Sequence, residues 1–165
     1  MRDIVIVAHN LRSAHNVGSL LRTAEGLGVH KVILSGYTPH PKHQYDRRLP
    51  HEAMKIGRDI NKTALGAEDM VPWEQHNDVI PVLEKLKDEG YTLAALEQTD
   101  DAHLLHKYHP PQKIAIVLGR EVEGVEPEIL DMCDSVLEIP MFGRKESYNV
   151  VQAAAMALFH CRFAP

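Results

Sequence analysis

The sequence predicts an α/β protein, a mostly parallel sheet with helices on both faces. Three observations point there. Short β-branched apolar runs such as Ile4-Val5-Ile6-Val7 and Ile114-Ala115-Ile116-Val117-Leu118 have the character of strands buried on both faces. Stretches with helical apolar spacing lie between such runs, and the two kinds alternate along the chain. The 165 residues are 44% hydrophobic and 25% charged, which fits one globular domain over 1–165. A chain of this length buries about 70% of its unfolded surface, enough for a core without disulfides.

The elements follow in order. Asp3 to Ala8 reads as a buried strand. From Val17 to Leu27 the apolar positions 17, 20, 21, 24 and 27 follow helical spacing, and Gly28 supplies a stop. Lys31 to Leu34 is the second strand. Ser35 to Pro50 is rich in His, Pro and basic residues without a period, so it reads as a long loop of the kind that is usually functional or mobile. A short helix is expected over 51–64, and Asp69 to Trp73 reads as a connector or short edge strand. Asp78 to Asp88, apolar at 79, 80, 83 and 86 and closed by Gly90, is a helix, followed by a strand from Tyr91 to Leu96. A polar loop through Pro110-Pro111 leads into the run Ile114 to Leu118, the expected central strand. Pro127 opens a helix to Met132, Ser135 to Ile139 is a strand, and a helix from about Tyr148 to Cys161 carries the run Ala153-Ala154-Ala155. In such folds ligands sit beyond the carboxyl ends of strands, which directs attention to the residues after Ala8, Leu34, Leu96, Leu118 and Ile139.

A net charge of −5 argues against a protein that coats nucleic acid by bulk electrostatics. The charge is uneven, however. Residues 1–62 carry ten Lys+Arg against five Asp+Glu, and residues 63–165 carry eight against eighteen. Either a basic face hides inside an acidic average or the halves interleave in space. The two cysteines, Cys133 and Cys161, lack the paired spacing of zinc or redox sites and read as packing residues of a reducing cytoplasm. No apolar run approaches the roughly 20 residues that span a bilayer, and Met1-Arg2-Asp3 enters the first strand without a signal-peptide pattern.

Three polar clusters fall where strands end. The first runs from Asn10 through Thr23 and opens a helix, whose free N–H groups favour an anion. Asn16 is expected at or beside the helix cap, where plain capping would also explain it. Arg22 is expected near the apolar face, where a charge wants a partner or a phosphate. The second cluster, Leu118-Gly119-Arg120-Glu121-Val122-Glu123-Gly124-Val125, follows the central strand. Its Gly119 allows a turn or a close ligand approach, and its spacing is neither a dinucleotide fingerprint nor a P-loop. The third extends from Ile139 to Val151. Ser147 and Asn149 there could be caps or functional groups.

Taken together these clusters resemble the SpoU (TrmH) family of RNA ribose methyltransferases, of the SPOUT class. The family's Asn-x-Gly-x-x-x-Arg-Thr appears as Asn16 to Thr23, its Leu-Gly-x-Glu-x-x-Gly as Leu118 to Gly124, and its Ile-Pro-Met-x-Gly with a following Ser-Leu-Asn-Val as Ile139 to Gly143 and Ser147 to Val150, Tyr148 replacing the Leu. The resemblance implies a C-terminal deep trefoil knot, a homodimer, and S-adenosylmethionine as cofactor, held by Leu96, Glu97, Gly119, Ile139, Met141 and Tyr148. It implies a catalytic constellation of Arg22, Asn16, Glu121, Ser147 and Asn149 acting on a ribose 2′-hydroxyl of tRNA or rRNA, without a metal. RNA contacts are expected from Arg12, Arg47, Arg48, Arg144 and Lys145, with Lys42 and Lys62 as further candidates.

Two other classes compete. A non-catalytic RNA-binding assembly factor could keep the same fold, although intact Asn16, Arg22, Glu121 and Asn149 weigh against it. A nicotinamide-dependent oxidoreductase lacks its glycine fingerprint. The histidines His103, His106 and His109, three apart, could put two imidazoles on one helical turn, but no Cys or acidic ligand completes a recognised metal pattern.

Overall fold

The computed structural model describes residues 1–165. Seven strands, β1 (Asp3–His9), β2 (Lys31–Ser35), β3 (Trp73–His76), β4 (Thr92–Leu96), β5 (His103–Leu104), β6 (Lys113–Leu118) and β7 (Ser135–Glu138), form one sheet in the order β3-β2-β1-β6-β4-β7-β5. Every pairing is parallel, and β6 is the middle strand. Five helices connect them: α1 (Ala14–Gly26), α2 (Pro50–Ala64), α3 (Ile80–Asp88), α4 (Pro127–Met132) and α5 (Val150–Phe163).

Strand side chains alternate between faces, and this divides the core in two. Ile4, Ile6, Ile114, Ile116 and Leu118 pack with α1, α2 and α5 on one face. Val5, Val7, Ala115 and Val117 pack with α3 and α4 on the other. Strands buried on both sides must be apolar throughout, which is why the sheet reads as continuous Val/Ile runs.

Several boundaries differ from the sequence expectation for identifiable reasons. Helix α1 begins three residues earlier than its apolar pattern, because Ser13 is its cap and accepts from the Asn16 backbone N–H at 3.2 Å. Asn16 is therefore inside the first turn. Helix α2 covers the expected 51–64 and begins one residue earlier, at Pro50, although it buries only Ala53, Ile60 and Ala64. The segment 69–73, read as a connector or short edge strand, is a connector that leads from a 3-10 turn at Ala67–Asp69 into the edge strand β3 at Trp73–His76. The polar loop before Pro110 contains the two-residue strand β5, so His103 sits on a strand and His106 in a 3-10 turn, not together on a helix.

Helix α1 lies directly on α2. A Cβ at Gly18 would overlap the Ile60 carbonyl and the Thr63 hydroxyl, so glycine lets the two backbones touch. Thr63 Oγ1 donates to the His15 carbonyl at 2.8 Å across the same contact. No helix is long and apolar enough to cross a membrane.

Candidate functional site

The loops that leave β4, β6 and β7 converge on a cavity of about 270 Å³. It opens beyond the carboxyl ends of adjacent strands, the usual ligand position in a parallel sheet. Its lining includes Leu96, Glu97, Gly119, Glu121, Ile139, Ser147 and Tyr148 from the sequence-predicted set. Asn16, Asn149, Met141 and Arg22 do not line it. Gln98, Glu138, Val150 and Ala153, which sequence reasoning missed, do.

A circuit of hydrogen bonds fixes the three loops to each other. Glu97 Oε2 accepts from Val125 N–H at 2.8 Å, joining the β4 and β6 loops. The Gln98 amide donates to the Glu146 carbonyl at 3.0 Å, joining the β4 and β7 loops. Glu121 then ties the β6 loop to the start of α1, accepting from the backbone of Arg12 at 3.1 Å, from Ser13 at 3.3 Å and from the Asn16 amide at 3.2 Å. Asn149 closes the ring. It caps α5 by accepting from Val151 N–H at 2.9 Å, and its amide reaches Asn16 Oδ1 at 3.4 Å. Asn16, Glu121 and Asn149 are thus brought together, and of these Glu121 lines the cavity wall, as does Ser147.

Glu121 is electrostatically tuned. Burial pushes its carboxyl up, but hydrogen bonds from its own backbone, from Arg12, from the Asn16 side chain and from Ser13 outweigh this and hold it below the usual range. It is an anion set against the N-terminus of α1, where the helix dipole favours one.

Of the two reasons its sequence context suggests for Gly119, a turn and a close ligand approach, the structure shows the turn. The loop folds back so that Arg120 and Gly124 exchange backbone hydrogen bonds of 3.0 and 3.1 Å. A Cβ on Gly119 would overlap the Gly124 carbonyl group, and one on Gly124, at φ +76°, would overlap the Glu97 carboxylate. The protein's own backbone, before any ligand, demands glycine there.

Arg22 corrects the expectation of an apolar neighbourhood. It is exposed and makes no hydrogen bond or ion pair, whereas Val17, Leu20, Leu21 and Ala24 are buried. At about 100° per residue it lies roughly 140° around the helix from Val17 and about 9 Å along the axis from Asn16.

Behind the site lies a polar network that the sequence does not reveal. Asn10, at φ +58°, donates to Glu126 at 3.1 Å, accepts from Tyr37 N–H at 3.1 Å and lies 3.0 Å from His9 Nε2. Arg120 donates to the same Glu126 oxygen at 2.6 Å. Burial, reinforced by the Arg120 charge and opposed by Glu126, holds the His9 imidazole below its usual pKa. The only sequence signal for it is position, since His9, Asn10 and Arg120 each stand within two residues of a strand end.

The basic candidates divide by engagement. Arg12 pairs with Glu123 at 2.9 Å, and Arg47, Arg144 and Lys145 are exposed and unpaired. Arg48 is occupied: its guanidinium binds the Asp46 carboxylate and the carbonyls of His40 and Pro41. The same loop brings His40, His43 and Asp46 within 4.8 Å of one another. Arg48 already neutralises Asp46, and the Nδ1 atoms of His40 and His43 are engaged by the Pro41 carbonyl and Tyr45 N–H, so the group acts as a clamp for the loop. Both cysteine thiols are pushed up by burial to about 11, consistent with packing roles.

Residues 3–159 match the model of the SpoU rRNA Methylase family. The 23S rRNA (guanosine-2'-O-)-methyltransferase RlmB of Neisseria meningitidis is 30% identical over 159 residues, covering 96% of this chain and 58% of that protein. The chain spans little more than half the length of the curated relatives it matches. Among solved structures, the AdoMet-bound rRNA methyltransferase from Sinorhizobium meliloti aligns with a TM-score of 0.79 at 19% identity, over 97% of this chain and 56% of that one. The A. aeolicus TrmH/SpoU tRNA modifying enzyme aligns with the same score at 21% identity, over 98% and 75%. At these identities the likeness establishes a shared fold.

Proposed function

The chain belongs to the SpoU rRNA methylase family, and from that premise we propose that it transfers a methyl group from S-adenosylmethionine to a ribose 2′-hydroxyl of tRNA or rRNA. The observation that carries the reading is the convergence of the second and third family motifs on one cavity, to which the first is tied by the hydrogen bonds of Asn16 with Glu121 and Asn149.

The cavity suits the cofactor. Apolar Leu96, Leu137 and Ile139 offer a surface for an adenine ring, and backbone groups at the strand ends offer its hydrogen-bond partners. Glu97, Glu121, Glu138 and Glu146 line the wall against the single cation Arg120, a balance that favours a positively charged ligand. When bound, S-adenosylmethionine supplies an electrophilic methyl group on a cationic sulfur.

The protein's own part is positioning and electrostatics. Asn16, held by Glu121 and Asn149, orients the ribose at the mouth. Ser147 offers a second hydroxyl contact. Arg22 binds the phosphate beside the target nucleotide and stabilises the alkoxide developing on the ribose oxygen, as a planar guanidinium does well. Because Arg22 is exposed and does not line its own cavity, we assign it to the cavity of a second copy in a homodimer. The apolar pair Phe159 and Phe163, 60% and 64% exposed with ring centroids 4.8 Å apart on α5, supports such an interface.

The same reading has residues 1–165 acting as one catalytic domain in the cytoplasm, with the segment after β7 threading a loop to form a trefoil knot. The return of the chain from β7 to α5, which starts at the cavity wall with Val150 and packs against β6, β1 and α1, supports that path. Arg12, Arg47, Arg144 and Lys145 are proposed to contact RNA. Calorimetry should give binding of S-adenosylmethionine and none of NAD, and the purified protein should place a 2′-O-methyl group in RNA from a strain lacking it. Cofactor binding without methyl transfer on any such RNA would favour the assembly-factor alternative, and no cofactor binding would refute the reading.

A further inference from the structure

The solvent face of α2 carries a charge pattern that the cavity does not explain. His51, Lys55, Arg58 and Lys62 are spaced four, three and four residues apart, which at 100° per residue puts them within an arc of about 60°. The buried residues Ala53, Ile60 and Ala64 lie on the opposite side of the helix. The stripe is therefore a straight, fully outward basic edge roughly 16 Å long.

Its charge is largely uncompensated. Residues 42–62 hold six Lys and Arg against three Asp and Glu, a surplus of three in a chain whose net charge is −5. Asp46 is bound to Arg48, and Asp59 to Lys62 at 2.7 Å. Arg47, Lys55 and Arg58 make no hydrogen bond or ion pair. By contrast, on α3 Lys85 lies 3.8 Å from Glu89 and Lys87 lies 3.4 Å from Asp134.

The stripe also points somewhere. Its Lys62 end adjoins Thr63, which bonds the His15 carbonyl, and the next residue, Asn16, is held by Glu121 at the cavity rim. Gly18 lets α2 lie directly against α1, which sets the position of the stripe relative to Asn16. At the outer end the Arg48 clamp fixes the segment that presents Arg47 and the exposed Tyr45.

We propose that this edge of α2, entered at Arg47, is a track for the phosphate backbone of the RNA substrate, leading a strand toward the cavity mouth. The proposal rests on the RNA methyltransferase reading above and adds where an acidic protein holds a polyanion. Unpaired cations in a row recognise phosphates irrespective of sequence, so the track contributes affinity and register, and the cavity contributes chemistry.

The test uses the full chain and two fluorescent probes, a tRNA transcript and an rRNA stem-loop, titrated over a range of KCl. In the Lys55→Ala/Arg58→Ala double variant the slope of log affinity on log salt should become shallower by about 1–2, and affinity at low salt should fall roughly 10-fold or more. The charge-keeping Lys55→Arg/Arg58→Lys variant should retain the wild-type slope, as should Lys85→Ala/Lys87→Ala on α3. S-adenosylmethionine affinity should be unchanged in all of them. Wild-type slope and affinity in the Lys55→Ala/Arg58→Ala protein would overturn the track while leaving the methyltransferase reading standing. A wild-type chain that binds S-adenosylmethionine but neither RNA would also overturn it, and would redirect the stripe to an acidic protein partner.

Discussion

Replacing Glu121 with Gln isolates the charge of the residue that joins the β6 loop to α1. The amide keeps the shape and one acceptor oxygen. It loses the anion facing the α1 N-terminus, roughly 0.3–1 kcal/mol, and weakens the bonds from Arg12, Ser13 and Asn16 by about 0.5–1.5 kcal/mol. Because Glu121 is partly exposed, solvent screening favours the lower part of each range, giving about 1–1.5 kcal/mol in total. For a chain of this size that lowers Tm by roughly 2–6 °C. Turnover should fall much further, by about 100-fold, since an error of about 1 Å in Asn16 misplaces the acceptor. The pH dependence has a definite sign. A carboxyl held below its usual range stabilises the folded state fully above its unfolded pKa of about 4.3, and loses that contribution as pH falls through the lower folded value. The Tm difference between wild type and Glu121→Gln should therefore be complete at neutral pH and vanish in the acid limb. Thermal melts from neutral to acid pH, with single-turnover methyl transfer at neutral pH, make the comparison. Equal Tm at neutral pH, or a difference that persists undiminished in acid, would refute this role for the Glu121 carboxylate.

Three further outcomes are expected. Arg22→Ala and Arg22→Lys should each reduce methyl transfer by roughly 100-fold or more, about 2.7 kcal/mol, with S-adenosylmethionine affinity unchanged in calorimetry; near-normal turnover in Arg22→Lys would remove its assigned role. Gly119→Ala should lose stability by about 1–3 kcal/mol, because its Cβ meets the Gly124 backbone. A native melting curve combined with lost cofactor binding would show that ligand, not backbone, needs that space. Gly18→Ala should lower Tm by separating α1 from α2, and in RNA titrations it should weaken RNA binding more than cofactor binding; an unchanged Tm would mean that the helix contact relaxes freely.

Legibility in the sequence follows the kind of force at work. Runs buried on both faces, such as Ile114 to Leu118, announce themselves because desolvation acts on every residue. Strand β5 is obscure for the opposite reason, being held by only two residues of pairing, whereas the helix expected over 51–64 is present as α2 although it buries only three residues. Among the site residues, strand ends and motif resemblance suffice to bring Leu96, Glu97, Gly119, Glu121, Ile139, Ser147 and Tyr148 to the cavity. The turn at Gly119 is legible, but the group it must clear, the Gly124 carbonyl, is not, since loop self-contact leaves no mark in spacing. The competing cap Ser13 hides the true position of Asn16, and Arg22 has apolar neighbours in sequence that are not its neighbours in space. Gln98 and the His9, Asn10, Glu126 network depend on tertiary hydrogen bonds that no local pattern encodes.

The sheet's borders constrain how copies of the chain can associate. Strand β5 offers two residues at one border. Strand β3 offers four at the other, where Glu74 is paired with Lys31 and His76. Neither presents a long, flat run of free backbone groups on which a second sheet could continue, and charged side chains further discourage it. Self-association is thereby steered away from strand addition and onto helix surfaces. Such contacts can be sorted by shape and charge, whereas an open strand would accept almost any extended chain in a crowded cell.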